Sequence, residues 1–147
     1  MKIEYIEGDL FSTNCLHILH GCNAQGVMGS GVAKIVRDRY TAAYDFYVAK
    51  HAADGLKLGD VQFLPVNDKI IINAITQEFY GRDGKLYVDY DAVATVMKTV
   101  NRVLKLAEYT KVAMPKIGAG LGGGDWNIIA AIIEQEMTDV SPIVYVQ

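Results

Sequence analysis

Two glycine-rich stretches carry the residue types best suited to holding an anion. The first is Gly21–Ala33, GCNAQGVMGSGVA, and the second is Pro115–Trp126, PKIGAGLGGGDW. Each follows an apolar run and leads into a helical pattern. Glycines in that position let backbone approach a ligand closely and turn N–H groups toward it. The helix that follows adds a partial positive charge at its N-terminus. Ligands of α/β sheets collect at the C-terminal edge of the strands, so two such loops on one edge point to two adjacent phosphates. Either loop alone also reads as a plain tight turn, and the pairing in the same context is what favours binding.

Two better-known phosphate motifs do not fit. Gly118, Gly120 and Gly123 satisfy G-x-G-x-x-G, but a dinucleotide fold needs further βαβ sequence and an acidic residue about 20 positions on, where this chain is ending. Gly26 and Gly31 have Walker A spacing, but Val32 and Ala33 stand where lysine and serine or threonine are needed.

Other residues offer more than one role. His20, near the end of an apolar strand, suits general acid or base work at neutral pH, and equally a hydrogen-bonded core histidine. Asp125 precedes Trp126 as an N-cap, with a second role in orienting water. Asp9 is a turn residue or a recognition group beside the cleft. Cys15, His17, His20 and Cys22 hint at zinc, but strand parity places His17 on the face opposite His20 and Cys22, so no metal site is assigned. Phe79, Tyr80 and Tyr87 flank Gly81, Arg82 and Gly84, which read as a flap with Arg82 touching an anion, or as a solvated turn with packed aromatics.

The elements that must position these groups follow from pattern. Lys2–Glu7 and Leu16–Cys22 read as strands, the second buried on both faces. A helix after Gly31 presents Val32, Ala33, Ile35 and Val36, and Thr41–Ala53 is a helix stopped by Gly55. Val61–Val66 and Lys69–Ile75 are strands joined by the tight Asn67-Asp68 turn, hence antiparallel. Val93, Val96, Met97, Val100, Val103, Leu104 and Ala107 recur at helical spacing, opposite Lys98, Arg102 and Lys105. Val112–Met114 begins a strand, Trp126–Met137 is a helix and Ile143–Val146 closes the chain as a strand. This alternation predicts a single α/β sandwich over residues 1–147, with helices on both faces of a mixed sheet.

Composition narrows the function. The chain has 147 residues, 51% hydrophobic and 21% charged, as a globular domain does. Its net charge of −3 argues against general nucleic-acid binding and leaves phosphates to backbone N–H groups. No run approaches the ~18 apolar residues of a membrane span, and the N-terminus alternates rather than forming a secretory signal. With only Cys15 and Cys22, a cytoplasmic location is expected.

Gly8-Asp9-Leu10 after the first strand, the Asn23–Ala33 loop, and Ile117-Gly118-Ala119-Gly120-Leu121 before a helix together resemble the macrodomain family, over essentially the whole chain. The start at the first strand is similar to the compact branch of ADP-ribose-1″-phosphate phosphatases and terminal ADP-ribose glycohydrolases. His20–Asn23 followed by Gly29–Ala33 is most similar to the phosphatases. The resemblance implies a three-layer α/β/α sandwich around a mixed, roughly six-stranded sheet, with a cleft for ADP-ribose. In it, Asp9 would accept from the adenine amino group with Leu10 beside it, and Tyr145 would pack on the adenine. Gly29, Ser30, Gly31, Val32 and Ala33, with Ile117, Gly118, Ala119, Gly120, Leu121 and Gly122, would cradle the diphosphate. Asn23 and Gln25 would lie near the distal ribose. The sequence departs from the glycohydrolase pattern: Gln77 and Gly122 stand at the positions of its lysine and aspartate, and Lys85 sits in a nearby loop.

The expected activity is hydrolysis of ADP-ribose-1″-phosphate to ADP-ribose and phosphate, with loop N–H groups stabilising charge and His20 or Asp125 assisting water. The alternatives are a hydrolase that removes ADP-ribose from protein or nucleic acid, and a non-catalytic ADP-ribose reader. No motif calls for a metal or a cofactor.

Overall fold

The structure, a computed structural model, describes residues 1–147. Six strands, β1 (Glu4–Glu7), β2 (His17–Asn23), β3 (Val61–Val66), β4 (Lys69–Gln77), β5 (Lys111–Met114) and β6 (Ser141–Val146), form one sheet in the order β1-β6-β5-β2-β4-β3. Every neighbouring pair is parallel except β3 with β4. The antiparallel exception follows from the Asn67-Asp68 turn, where Asn67 takes φ 56 in a two-residue hairpin.

Four helices cover the sheet. Helices α1 (Gly31–Arg39) and α2 (Thr41–Asp54) pack on one face, and α3 (Tyr90–Leu106) and α4 (Trp126–Glu136) on the other. Strand parity sorts the core into two clusters. Ile18, Cys22, Ile71 and Ile75 join Tyr47 and Val36 under α1 and α2, while Leu19, Ile72 and Ala74 join Val96, Met97, Ile129 and Ile133 under α3 and α4. Helix α2 stops at Gly55, whose φ of 82 suits glycine and whose N–H reaches Lys50 O at 3.1 Å. Helix α3 starts at Asp89, whose carboxylate accepts from Ala92 N at 2.8 Å.

Three expectations from sequence need correction. Strand β1 begins at Glu4, not Lys2. The predicted apolar face of α1 is narrower: Val36 is buried, Val32 and Ala33 turn partly to the cleft, and Ile35 is 38% exposed. A helix of only nine residues, lying at the mouth of the cleft, has one turn over the core and the rest at the rim. Ala107 lies past the last turn of α3 as its C-cap and is exposed. The parity argument for His17 matches the geometry, since His17 packs edge-on against Tyr109 and His20 meets Asn73 on the other face. No helix is long and apolar enough to cross a membrane.

Candidate functional site

Topology decides where the loops meet. Strands β2 and β5 are adjacent and parallel, with Ile18 beside Ala113, so the loops that follow them leave the same edge side by side. Strands β1, β4 and β6 run the same way, so Gly8-Asp9, the segment after Gln77, and Tyr145 all come to that edge too. Between the two glycine loops lies a cleft of about 390 Å³. Its walls include Asn23, Gly29, Ser30, Gly31, Val32 and Ala33 from the first loop, and Ile117, Gly118, Gly120, Leu121 and Gly122 from the second.

Side chains fix the first loop. Asn23 Oδ1 accepts from Gln25 N at 3.0 Å and Val27 N at 3.4 Å, and Asn23 Nδ2 donates to Val27 O at 2.8 Å. Tyr47, fully buried in α2, donates its hydroxyl to Asn23 O at 2.6 Å and lies 2.9 Å from Asn23 Oδ1. Burial pushes the Tyr47 hydroxyl pKa up, so it stays a donor. Asn23 therefore organises the loop from inside. The second loop is held by its own backbone: Gly124 N donates to Gly118 O at 2.8 Å and Gly123 N to Gly120 O at 3.1 Å. Gly118 takes φ 73, and a Cβ there would come within 2.6 Å of Val88 Cγ2, so the tight turn requires glycine.

These turns leave main-chain donors over. The N–H groups of Gly29, Ser30, Gly31, Val32 and Ala33 have no protein partner, nor do those of Gly118, Gly120, Leu121 and Gly122. Two runs of unpaired donors thus face each other across one cleft, with the N-terminus of α1 behind the first. The charge pattern matches. The chain carries 17 acidic residues, yet none lines the cleft, and the one charged group that does is Lys116. Its ammonium lies 5.8 Å from the centre of the Trp126 ring. Sequence reading did not single out Lys116; its place directly after Pro115 at the mouth of a glycine loop was the available signal.

Five other predicted binding residues lie outside the cleft walls. Gln25 ties its amide to Glu78 O at 3.2 Å, and Ala119 turns its N–H to Lys116 O at 3.3 Å. Asp9 caps a short 3₁₀ turn at Leu10–Ser12, accepting from Phe11 N at 3.0 Å. Leu10, Phe11, Val32, Ala33 and Tyr145 belong to one apolar cluster, which joins the first loop to the segment after β1 and to β6. Tyr145 is braced by its hydroxyl on Thr13 Oγ1 at 2.8 Å.

The two predicted catalytic groups are engaged in the fold. His20 is 1% exposed, with Nε2 2.7 Å from Asn73 Oδ1. Burial lowers its pKa to about 4 against a smaller opposing effect of the Asn73 hydrogen bond, so the ring is neutral at pH 7. Asn73 Nδ2 donates to Ala43 O at 3.0 Å and Gln62 Oε1 at 3.1 Å, which makes its Oδ1 the acceptor from His20. Cys22 Sγ lies 3.6 Å from the ring, and burial raises its thiol pKa out of the range of a nucleophile. Asp125 caps α4, accepting from Asn127 N at 2.9 Å, and is exposed outside the cleft walls. Gln77, which the resemblance sets against the glycohydrolase lysine, donates to Phe79 O at 2.7 Å, and Lys85 lies 3.7 Å from Asp83.

The flap after β4 packs over this site. Tyr80 lines the cleft, Arg82 Nη2 donates to Ser30 Oγ at 2.9 Å, and Tyr87 N and Val88 N donate to Gly122 O at 2.7 and 3.0 Å. It therefore bridges both glycine loops.

Comparison with known proteins agrees with this architecture. The sequence profile of the Macro domain matches residues 19–133. An ADP-ribose 1″-phosphate phosphatase of Debaryomyces hansenii is 30% identical, covering 90% of this chain and 93% of its own. A DNA ADP-ribosyl glycohydrolase of Mycobacterium tuberculosis is 27% identical over 97% of this chain, which spans 42% of that relative's length. A Bacteroides thetaiotaomicron protein of unknown function shares the fold at TM-score 0.87 and 30% identity, covering 99% of this chain and 98% of that one. With its profile matched over most of its length and its glycine loops paired on one edge of a six-stranded mixed sheet, this chain belongs to the Macro domain family.

Proposed function

We propose that this chain binds ADP-ribose in the cleft and hydrolyses ADP-ribose-1″-phosphate to ADP-ribose and phosphate. The observation that carries the reading is the pair of unpaired N–H runs across an acid-free cleft, which suits a diphosphate. Asp9, Leu10 and Tyr145 take the adenine at the β1 edge, and Thr76 and Tyr80 stand beside the distal ribose near the end of β4. Oγ1 of Thr76, buried and without a partner, is a further polar group at that end.

The chemistry of the walls favours phosphate-ester cleavage over glycosyl cleavage. Hydrolysis of a phosphate monoester passes through a loose transition state and depends mainly on positioning and electrostatic stabilisation. Loop N–H groups and Lys116 supply that. Water provides the oxygen that ends on phosphate and the proton that ends on the ribose 1″ oxygen. Glycosyl cleavage most often draws on paired carboxylates, and none lines the cleft. In this reading His20, a neutral ring in the cleft floor, and Asp125, at the start of α4, position the fold.

The test compares phosphate release from ADP-ribose-1″-phosphate with release of ADP-ribose from modified protein and modified DNA. The proposal expects the first and neither of the others. Release of ADP-ribose alone would assign a glycohydrolase, and binding without any product would assign a reader.

A further inference from the structure

Arg82 is a guanidinium with no carboxylate partner, parked on a cleft residue. Its Nη2 donates to Ser30 Oγ at 2.9 Å, and it forms no ion pair. The neighbouring Asp83 is already engaged, accepting from the Tyr87 hydroxyl at 2.8 Å and lying 3.7 Å from Lys85 Nζ. The Tyr87 ring fills the space where a side chain at Gly81 would sit, so the turn carrying Arg82 is braced from within. Its far end is pinned to Gly122 O. A guanidinium resting on a neutral hydroxyl exchanges it readily for a phosphate dianion, which offers charge and two acceptors in the geometry of the fork.

The flap also stands at the correct end. It leaves β4, four strand spacings from β1 in the sheet order, or roughly 19 Å at the usual interstrand distance. A ligand with its adenine at β1 brings its far end beneath the flap. We propose that Arg82 is the specificity-determining residue for a terminal phosphate. When ADP-ribose-1″-phosphate enters, the guanidinium leaves Ser30 Oγ and pairs with the 1″-phosphate, while the diphosphate stays on the glycine loops. The inference rests on the ADP-ribose reading above and adds selection for the charged end group. Once the phosphate is lost, the contact is lost with it, and product binds more weakly than substrate.

Discrimination is the readout: the ratio of affinities for ADP-ribose-1″-phosphate and ADP-ribose, by initial-time competition against labelled ADP-ribose. The wild-type chain is expected to prefer the phosphate form by about tenfold or more. Arg82→Gln should bring the ratio near one while leaving ADP-ribose affinity within about threefold, and Arg82→Lys should restore part of it. Thermal melting of both variants checks the fold. No preference in the wild type, a preference kept by Arg82→Gln, or equal loss of both ligands would overturn the proposal. Competition reads binding, so it answers even where no phosphate is released. A wild-type chain that binds neither ligand would instead remove the ADP-ribose reading itself.

Discussion

Gly120→Glu isolates the electrostatic design of the cleft. Gly120 is exposed on the second loop, lines the cleft, lies outside the left-handed backbone region, and has nothing within 4 Å of a Cβ placed on it. Its backbone can therefore carry a side chain, and replacing glycine there stabilises the fold by about 0.4–1 kcal/mol through the unfolded state. The cost falls on the ligand. At roughly 6 Å from one phosphate charge, a new carboxylate costs about 3 kcal/mol at an effective dielectric of about 20. Exposure and physiological salt bring this nearer 1.5 kcal/mol, or roughly tenfold in affinity. Calorimetric titration with ADP-ribose at low and high salt reads the effect, beside Gly120→Gln as a neutral control of similar shape. Gly120→Glu should lose about tenfold or more at low salt and recover part of it at high salt, with Gly120→Gln losing much less. Wild-type affinity in Gly120→Glu, or equal loss in both variants, would refute the reasoning.

Three further outcomes follow from particular contacts. Tyr47→Phe removes the brace on Asn23, costing about 1–2 kcal/mol in urea unfolding and lowering ADP-ribose affinity several-fold, since a loosened first loop must be ordered by the ligand. Asp125→Ala loses a helix cap, about 0.5–2 kcal/mol by the same measurement, and keeps its phosphate release. His20, with a folded pKa of about 4 against 6.5 unfolded, makes the unfolded state take up a proton that the folded state refuses as pH falls through that window. Stability contributed by the neutral ring is full above pH 6.5 and declines by about 3 kcal/mol toward pH 4, and denaturant midpoints across that range in wild type and His20→Gln isolate the slope.

Local pattern carried the fold because each element states its own period. The apolar spacing of α3 and the glycine stop after α2 are readable within a few residues, and the Asn67-Asp68 turn fixes the antiparallel pair. The paired loops were legible for the same reason. What escaped was nonlocal. Asn73 interrupts Ile70-Ile71-Ile72, which marks a buried polar group in need of partners, but only the register of β2, β3 and β4 brings His20 and Gln62 to it. That row holds His20 as a neutral, hydrogen-bonded ring at the floor of the cleft. Tyr47 is one of several aromatics in α2, and nothing in the helix itself marks it as the one that reaches Asn23. The acid-free lining is a property of the assembled cleft, drawn from segments almost a hundred residues apart.

The most direct test is a crystal structure of the ADP-ribose complex. The account predicts diphosphate oxygens at about 3 Å from main-chain N–H groups of both loops, some from Gly29–Ala33 and some from Gly118–Gly122. A diphosphate held by the Lys116 and Arg82 side chains alone, or a ligand resting elsewhere on the molecule, would contradict it.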